Sequence, residues 1–209
     1  MLDLSAMGTQ PAIGFVTRHM PSGGYYWTLT TLLGRLLYEA EQAYGDRDSS
    51  WTLLGIEFAG EHPQVWFPGG GSRRHISIML SEAASLDINL AIFELAHEVI
   101  HVLSPSGDRN VPCIEEGLAT LNSHDVGGRC QIGFQTPPSA YLEAEKDVVS
   151  LLAIDPNAVK KLRSRNLSFE GFTPDLIQEV VPGVSSDLAV ALCTPFREAE
   201  EAWAAKYRL

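Results

Sequence analysis

The chain has 209 residues, of which 45% are hydrophobic, and this is enough to bury the core of one large domain. Its formal net charge of -11 argues against nucleic acid or an anionic membrane as a partner, because both bind basic surfaces. Cys113, Cys130 and Cys193 are too widely spaced for a zinc cage or a disulfide framework. They predict free thiols and a cytoplasmic protein.

The first 24 residues are rich in Gly, Pro, Ser and Met and predict an arm, partly extended around residues 13–17. They lack the charged region and apolar run of a secretory signal. No stretch of the chain approaches the roughly twenty apolar residues that a membrane span requires. We therefore expect a single domain over residues 25–209, with a sheet lobe up to about residue 104 and a helical lobe after it.

The first half of this domain predicts a small sheet backed by a helix. Apolar residues recur at a helical period over residues 28–44, and Gly45 follows as a helix end. Residues 51–59 and 64–67 predict two strands with a short turn between them. Residues 75–80 alternate apolar and more polar side chains, which is typical of a strand with one face on a core.

The stretch from Ala91 to Leu103 is apolar nearly all round a helical projection, which predicts a buried helix. Asp87 is a suitable N-cap for it. Ser104-Pro105 ends the helix, because a residue before proline avoids the α conformation.

The polar exceptions on this helix, His97, Glu98 and His101, form the pattern H-E-x-x-H. Because the histidines are four residues apart, their imidazoles lie on one face and can bind one metal ion. Glu98 is about 100° further round, too far to be a third ligand but suitably placed for a general base. The alternative is that both histidines bond backbone carbonyls in the core and Glu98 points to water.

The second half of the chain predicts only helices. Gly128, Gly133, Pro137 and Pro138 predict one loop region among them. The predicted helices begin at about residue 112 and then cover residues 139–153, 157–162, 174–181, 186–193 and 195–207.

A catalytic zinc site has three protein ligands and leaves a fourth position for water. Glu115, Glu116 and Asp125 are the acidic residues that a second helix can return to the histidines. Spacing alone does not separate Glu115 from Glu116, and Glu115 is equally explained as a charge at a helix N-terminus.

At this point the chain resembles the gluzincin metallopeptidases, the zincin clan of thermolysin and the aminopeptidases. In that family H-E-x-x-H is followed by a glutamate helix of the form E-G-h-A, here Glu116-Gly117-Leu118-Ala119, with fourteen residues between His101 and Glu116. Small residues at 117 and 119 suit two helices that approach closely. The resemblance covers roughly residues 28–155. It implies an α+β, zincin-like fold, in which a small N-terminal sheet with a backing helix precedes the active-site helix, the glutamate helix and an all-helical C-terminal lobe.

The resemblance also implies the roles of individual residues. One zinc ion per chain is expected on His97, His101 and Glu116, with Glu98 as the general base. Tyr141 is the first candidate for the donor that stabilises the oxyanion.

Several further roles are less specific. His124 is the second candidate for the oxyanion donor, and the strand over residues 75–80 resembles the edge strand that pairs with an extended peptide. Glu94 either orients a ligand or lines the cleft, or else forms a surface salt bridge. The thermolysin pattern has an aspartate, orienting a ligand histidine, where this chain has Thr120. The partner that orients the histidines is therefore unassigned.

The sequence thus predicts a zinc-dependent peptidase that acts on a peptide or protein substrate. One alternative is a catalytically inactive zincin-fold module that binds or regulates, and another is a cytosolic zincin that acts on one specific regulatory protein. The retained Glu98 favours an enzyme, because a structural zinc site needs no base.

Overall fold

The computed structural model describes residues 16–19, 25–71, 73–107, 111–133 and 139–207. Two short strands, β1 (Val16–His19) and β2 (Tyr25–Thr28), form an antiparallel pair just before α1 (Leu29–Tyr44). Most of the predicted arm, residues 1–15 and 20–24, lies outside the described residues.

A mixed sheet of three strands follows, in the order β3 (Thr52–Phe58), β5 (His75–Leu80), β4 (Gln64–Trp66). Strand β5 is parallel to β3 and antiparallel to β4. All three predicted strands are confirmed, but the prediction that residues 75–80 form an edge strand is wrong. One edge of β5 is hydrogen-bonded to β3 and the other to β4, and the full burial of Ile76, Ile78 and Leu80 agrees with this central position.

The described residues form eight α-helices, which together with the sheet confirm the α+β class and the helical second half. None of these helices combines the length and apolar character of a membrane span. All three cysteines are free thiols, as predicted. The helices after α1 are α2 (Ile88–Val102), α3 (Cys113–Cys130), α4 (Ala140–Ile154), α5 (Ala158–Arg165), α6 (Pro174–Val180), α7 (Ser186–Cys193) and α8 (Phe196–Tyr207).

Helix α3 runs further than predicted, since Gly128 lies inside the helix and not in a loop. Val126 and Cys130 are buried on either side of it, and this packing outweighs the weak helix propensity of glycine. Residues 134–138, which include both prolines of the predicted loop, lie outside the described residues.

Helix α2 lies at the centre of the core, packed on β5 and α3. Asp87 caps its start, as predicted, by accepting hydrogen bonds from the backbone N–H groups of Asn89 (2.9 Å) and Leu90 (3.2 Å). Ile92, Val99 and Ile100 are fully buried. The helix that carries the histidines is therefore held on nearly all sides.

The far end of α2 is held by an arginine that the sequence did not single out. Arg163 in α5 is buried and donates from Nη2 to Leu103 O (3.0 Å) and Asp46 O (2.9 Å). Its Nη1 donates to Gly45 O (2.6 Å), just past α1. One guanidinium thus satisfies carbonyls that the ends of α1 and α2 leave without a helical partner.

Candidate metal centre

Helices α2 and α3 bring His97, His101 and Glu116 together. One ligand atom from each residue lies within 4.8 Å of the other two. Glu116 Oε2 is 3.3 Å from His97 Nε2, and Glu116 Oε1 is 3.9 Å from His101 Nε2. Ligand atoms of a tetrahedral zinc ion are about 3.3 Å apart, so only small side-chain shifts are needed. The group can hold a metal ion, and two imidazoles with one carboxylate suit zinc and several other divalent ions.

Two buried carboxylate oxygens support this fit. Glu98 Oε2 and Glu116 Oε2 are buried and make no hydrogen bond of ordinary geometry with the described residues, although His97 Nε2 lies 3.3 Å from Glu116 Oε2. Buried polar atoms are nearly always satisfied by protein, water or an ion. Two such oxygens, on Glu98 and Glu116, are therefore expected where a cation and its bound water would lie.

Glu115 orients one of the two histidines. Its side chain is buried, and its Oε1 lies 2.8 Å from His101 Nδ1. A carboxylate accepts, so Nδ1 is the donor in this contact, and Nε2, on the side of Glu116, is the nitrogen that remains to bind a metal ion. Thr120 has no such role, because its Oγ1 donates to Glu116 O (2.8 Å) in its own helix.

The electrostatics of the centre favour a positive charge. Burial by itself lowers the pKa of His101, but the carboxylates of Glu116 and Glu115 outweigh it and raise this pKa to about 10. Burial raises the pKa of Glu116, but His101 and His97 outweigh it, so this pKa is lowered. The negative charge of Glu115 and Glu116, which favours the protonated form of His101, also attracts a metal cation to this centre.

Glu98 lines the same cleft as the histidines and is only 3% exposed. The alternative in which it points to water is therefore wrong. Burial raises the pKa of its carboxyl, in spite of the opposing effect of His101 and His97. A glutamate with a raised pKa is suited to accept and return a proton near neutral pH.

The structure brings Tyr141 to the centre but not His124. The ring of Tyr141, at the start of α4, is 6.2 Å from the ring of His97, and Tyr141 lines the cleft. Burial raises the pKa of its hydroxyl, which keeps the proton in place for donation. His124 instead contacts Glu145 on α4, with Nδ1 2.8 Å from Oε1, and is not among the residues lining the cleft.

Two side chains beside the ligands fasten α2 to its neighbours. Glu94 accepts from both the backbone N–H (2.9 Å) and the hydroxyl (2.7 Å) of Ser81, directly after β5. It also lines the cleft, so the predicted alternative of a surface salt bridge is wrong. Asn122 Nδ2 donates to Ala96 O (2.6 Å), next to His97. Asn122 lies six residues after Glu116 and belongs to no sequence motif, so the sequence did not predict this bond.

We predicted that a small residue stands at position 117 because α2 and α3 approach closely there. This prediction is wrong, because Gly117 faces α4. A Cβ there would lie 2.2 Å from Ala144 O and 2.9 Å from Val148 Cγ2.

Asp125, the third acidic candidate, lies away from the centre and pairs with Arg129 at 3.1 Å.

The centre opens onto a cleft of about 660 Å³. Strand β4 forms one side, and its outer edge carries no partner strand among the described residues. The free sheet edge beside the histidines is therefore β4 and not β5. The other sides are formed by α2, by α3 between residues 115 and 123, by the starts of α4 and α8, and by residues 105–107 and 111.

No protein-family model, no curated protein and no solved structure matches this chain. The function is therefore argued from the residues and geometry of the site.

Proposed function

We propose that this protein is a zinc-dependent peptidase of the gluzincin type, with a zincin-like fold. The observation that carries the proposal is a group of three potential ligands that opens onto a cleft, beside a buried glutamate with an unpartnered oxygen. A structural zinc site is normally closed by a fourth protein ligand. Among the described residues this group has only three members.

In this proposal His97, His101 and Glu116 hold the metal, and Glu115 keeps the imidazole of His101 in the tautomer that presents Nε2. When bound there, a zinc ion would lower the pKa of a water molecule and polarise the scissile carbonyl. Glu98 accepts the proton from the attacking water and passes it to the leaving amine nitrogen. Tyr141 donates its hydroxyl hydrogen bond to the carbonyl oxygen as negative charge develops there.

The free edge of β4 supports an extended polypeptide as the substrate. Its backbone N–H and C=O groups are available on the side of the cleft, and Trp66 at its end is 39% exposed. Pairing with a strand edge binds peptide backbone without demanding one sequence. A small non-peptide substrate would have no use for such an edge.

The test compares the wild-type protein with Glu98→Gln on a broad peptide library, with cleavage read by mass spectrometry. Both proteins are expected to retain about one zinc ion per chain, and Glu98→Gln is expected to lose at least about a hundredfold in rate. Absence of metal from the purified wild type, with folding unaffected by a chelator, would refute the metal centre. Cleavage of no peptide by a metal-loaded wild type would favour the inactive binding module instead.

A further inference from the structure

The cleft contains one arginine that the proposed mechanism does not use, Arg197 in the first turn of α8. No lysine or second arginine occurs among the described residues that line the cleft. Arg197 is exposed, and its side chain makes no hydrogen bond or ion pair with any other residue that the structure describes. Among the described residues that line the cleft, this one strong cation is therefore available to a ligand.

The acidic side chains in the described part of the cleft are Glu94, Glu98, Glu115 and Glu116, and three histidines line it as well. Glu94 and Glu115 are bonded to Ser81 and His101, and the other two lie at the candidate metal centre. Away from the metal position, Arg197 is therefore the one strongly cationic side chain among the described lining residues that can attract a substrate carboxylate.

The backbone of Arg197 is fixed relative to the metal ligands. Phe196 N donates to Val111 O (2.8 Å), and Cys113 N donates to Thr194 O (2.9 Å), so the starts of α8 and α3 are tied together. Phe196 is buried and its ring lies 4.5 Å from that of Tyr141. The backbone at Arg197 is thus held beside the helix that bears Glu116, so that only the side chain has to be ordered when a ligand binds.

We infer that Arg197 binds a carboxylate of the substrate and makes this peptidase selective for peptides that present one. A guanidinium matches a carboxylate with two parallel hydrogen bonds, which gives it geometric selectivity over neutral groups. The carboxylate belongs either to the C-terminus of the peptide or to an Asp or Glu side chain. This inference rests on the proposed function, because it assigns the substrate of the same site.

The first test measures cleavage of matched pools of random hexapeptides. One comparison sets free C-terminal acids against C-terminal amides, and the other sets pools with a fixed Glu against pools with Gln at that position. The wild type is expected to prefer the carboxylate in one comparison by about ten- to a hundredfold in kcat/KM. The comparison that shows the preference identifies the source of the carboxylate.

Arg197→Gln is expected to abolish that preference, whereas Arg73→Gln keeps it. Arg73 is exposed and does not line the cleft, so it matches the charge change without touching the site. Metal content and thermal midpoint are measured for both variants to establish that they are folded and loaded. A wild-type ratio near one, or a ratio that survives in Arg197→Gln, would overturn the inference.

A binding measurement separates this inference from the proposed function. The NMR signal of the Arg197 side-chain Nε–H, assigned from its loss in Arg197→Gln, is followed in zinc-loaded Glu98→Gln protein. The probes are acetyl-Ala-Ala-Ala, acetyl-Ala-Glu-Ala amide and acetyl-Ala-Gln-Ala amide. The signal is expected to saturate at an at least tenfold lower concentration of one carboxylate peptide than of the neutral one. This response, together with cleavage of no peptide by the zinc-loaded wild type, would refute the peptidase and keep the carboxylate site. Equal responses to all three peptides would refute the site.

Discussion

His101 is held at two edges by consecutive residues of one helix. Glu115 Oε1 lies 2.8 Å from its Nδ1, and Glu116 Oε1 lies 3.9 Å from its Nε2. Consecutive helical residues point about 100° apart, so two neighbouring glutamates can reach different nitrogens of the same imidazole. The acidic pair at the start of α3 thus provides one residue that orients and one that faces the metal position.

This division predicts two different losses of metal affinity. Glu115→Gln is expected to weaken zinc binding by about ten- to a hundredfold, because the orientation of His101 is no longer enforced. Glu116→Gln is expected to weaken it further, because a charged ligand is lost. Competition with a chromophoric chelator at fixed pH measures both affinities. The reverse ranking would exchange the roles of the two glutamates.

Helix α3 positions its glutamates by packing very closely on α4. Gly117 directly follows Glu116, and a Cβ at Gly117 would meet the backbone of Ala144. Backbone atoms cannot rotate away as the end of a flexible side chain can, so α3 and α4 would have to separate. The contact of α3 with α4 therefore influences where Glu116 stands relative to α2.

Gly117→Ala is accordingly expected to destabilise the fold by about 1–3 kcal/mol, or more, and to lower metal affinity. Gly128→Ala is the matched control in the same helix, because a Cβ at Gly128 would have no atom of the described residues within 4 Å. It is expected to stabilise by about 0.5–1 kcal/mol, since alanine loses less backbone entropy in a helix. Urea denaturation of both variants measures the difference, and equal stabilities would contradict it.

A surface contact joins α3 to α1. Glu39 accepts from Arg129 Nη1 (2.9 Å) and from Arg35. Burial raises the pKa of Glu39, but the two arginines outweigh it and hold this pKa below the ordinary 4.5. A carboxyl whose pKa is lower in the folded state stabilises the fold above the unfolded pKa, and that stabilisation is lost as the pH falls through the folded pKa.

Glu39→Gln is therefore expected to be less stable than the wild type at pH 7, by only about 0.5 kcal/mol because the contact is partly exposed and screened. The two proteins should converge as the pH falls from about 4.5 towards 3. Urea unfolding at both pH values tests this, and a difference that persists unchanged at pH 3 would assign it to packing.

On the scale of the whole molecule, Arg163 links parts of the chain that are far apart in sequence. It bonds carbonyls at Gly45, Asp46 and Leu103, and its guanidinium lies over the ring of Phe169 at 5.2 Å. The ends of α1 and α2 thus meet on one buried cation in α5. The helix that carries the histidines is held in place through this residue as well as through its apolar core.

Arg163→Lys is expected to cost about 3 kcal/mol of stability. A single ammonium group cannot reach all the carbonyls that the guanidinium N–H groups bond, so buried carbonyls lose a hydrogen bond. Arg165→Lys is the control, two residues away in the same helix and paired with Glu179 at the surface (2.7 Å). Its expected cost is below about 0.5 kcal/mol. Thermal or urea unfolding of the two variants compares them, and similar losses would contradict a special role for Arg163.

The parts of the molecule that the sequence predicted well depend on neighbours along the chain. The helical period around His97, the cap at Asp87 and the alternation in β5 arise within a few residues, so their local physics is readable without the fold. His97 and His101 belong to this class, because a spacing of four residues places them on one helix face in any protein. Naming Glu116 as the third member of the group needed the motif resemblance in addition.

What only the tertiary structure decided depends on contacts between distant segments. Strand order made β4 the free edge beside the cleft, because hydrogen bonding between strands is not encoded in the alternation of any one of them. Glu115 and Glu116 could be given different roles only once the positions of the two nitrogens of His101 were known. Arg163 and Arg197 resemble other surface arginines in the sequence. In the fold, Arg163 is buried on backbone carbonyls, whereas Arg197 stands in an acidic cleft without a partner among the described residues. The two histidines could therefore be predicted from a short spacing, whereas the surroundings that would give the metal group a substrate and a stable position were set by long-range packing.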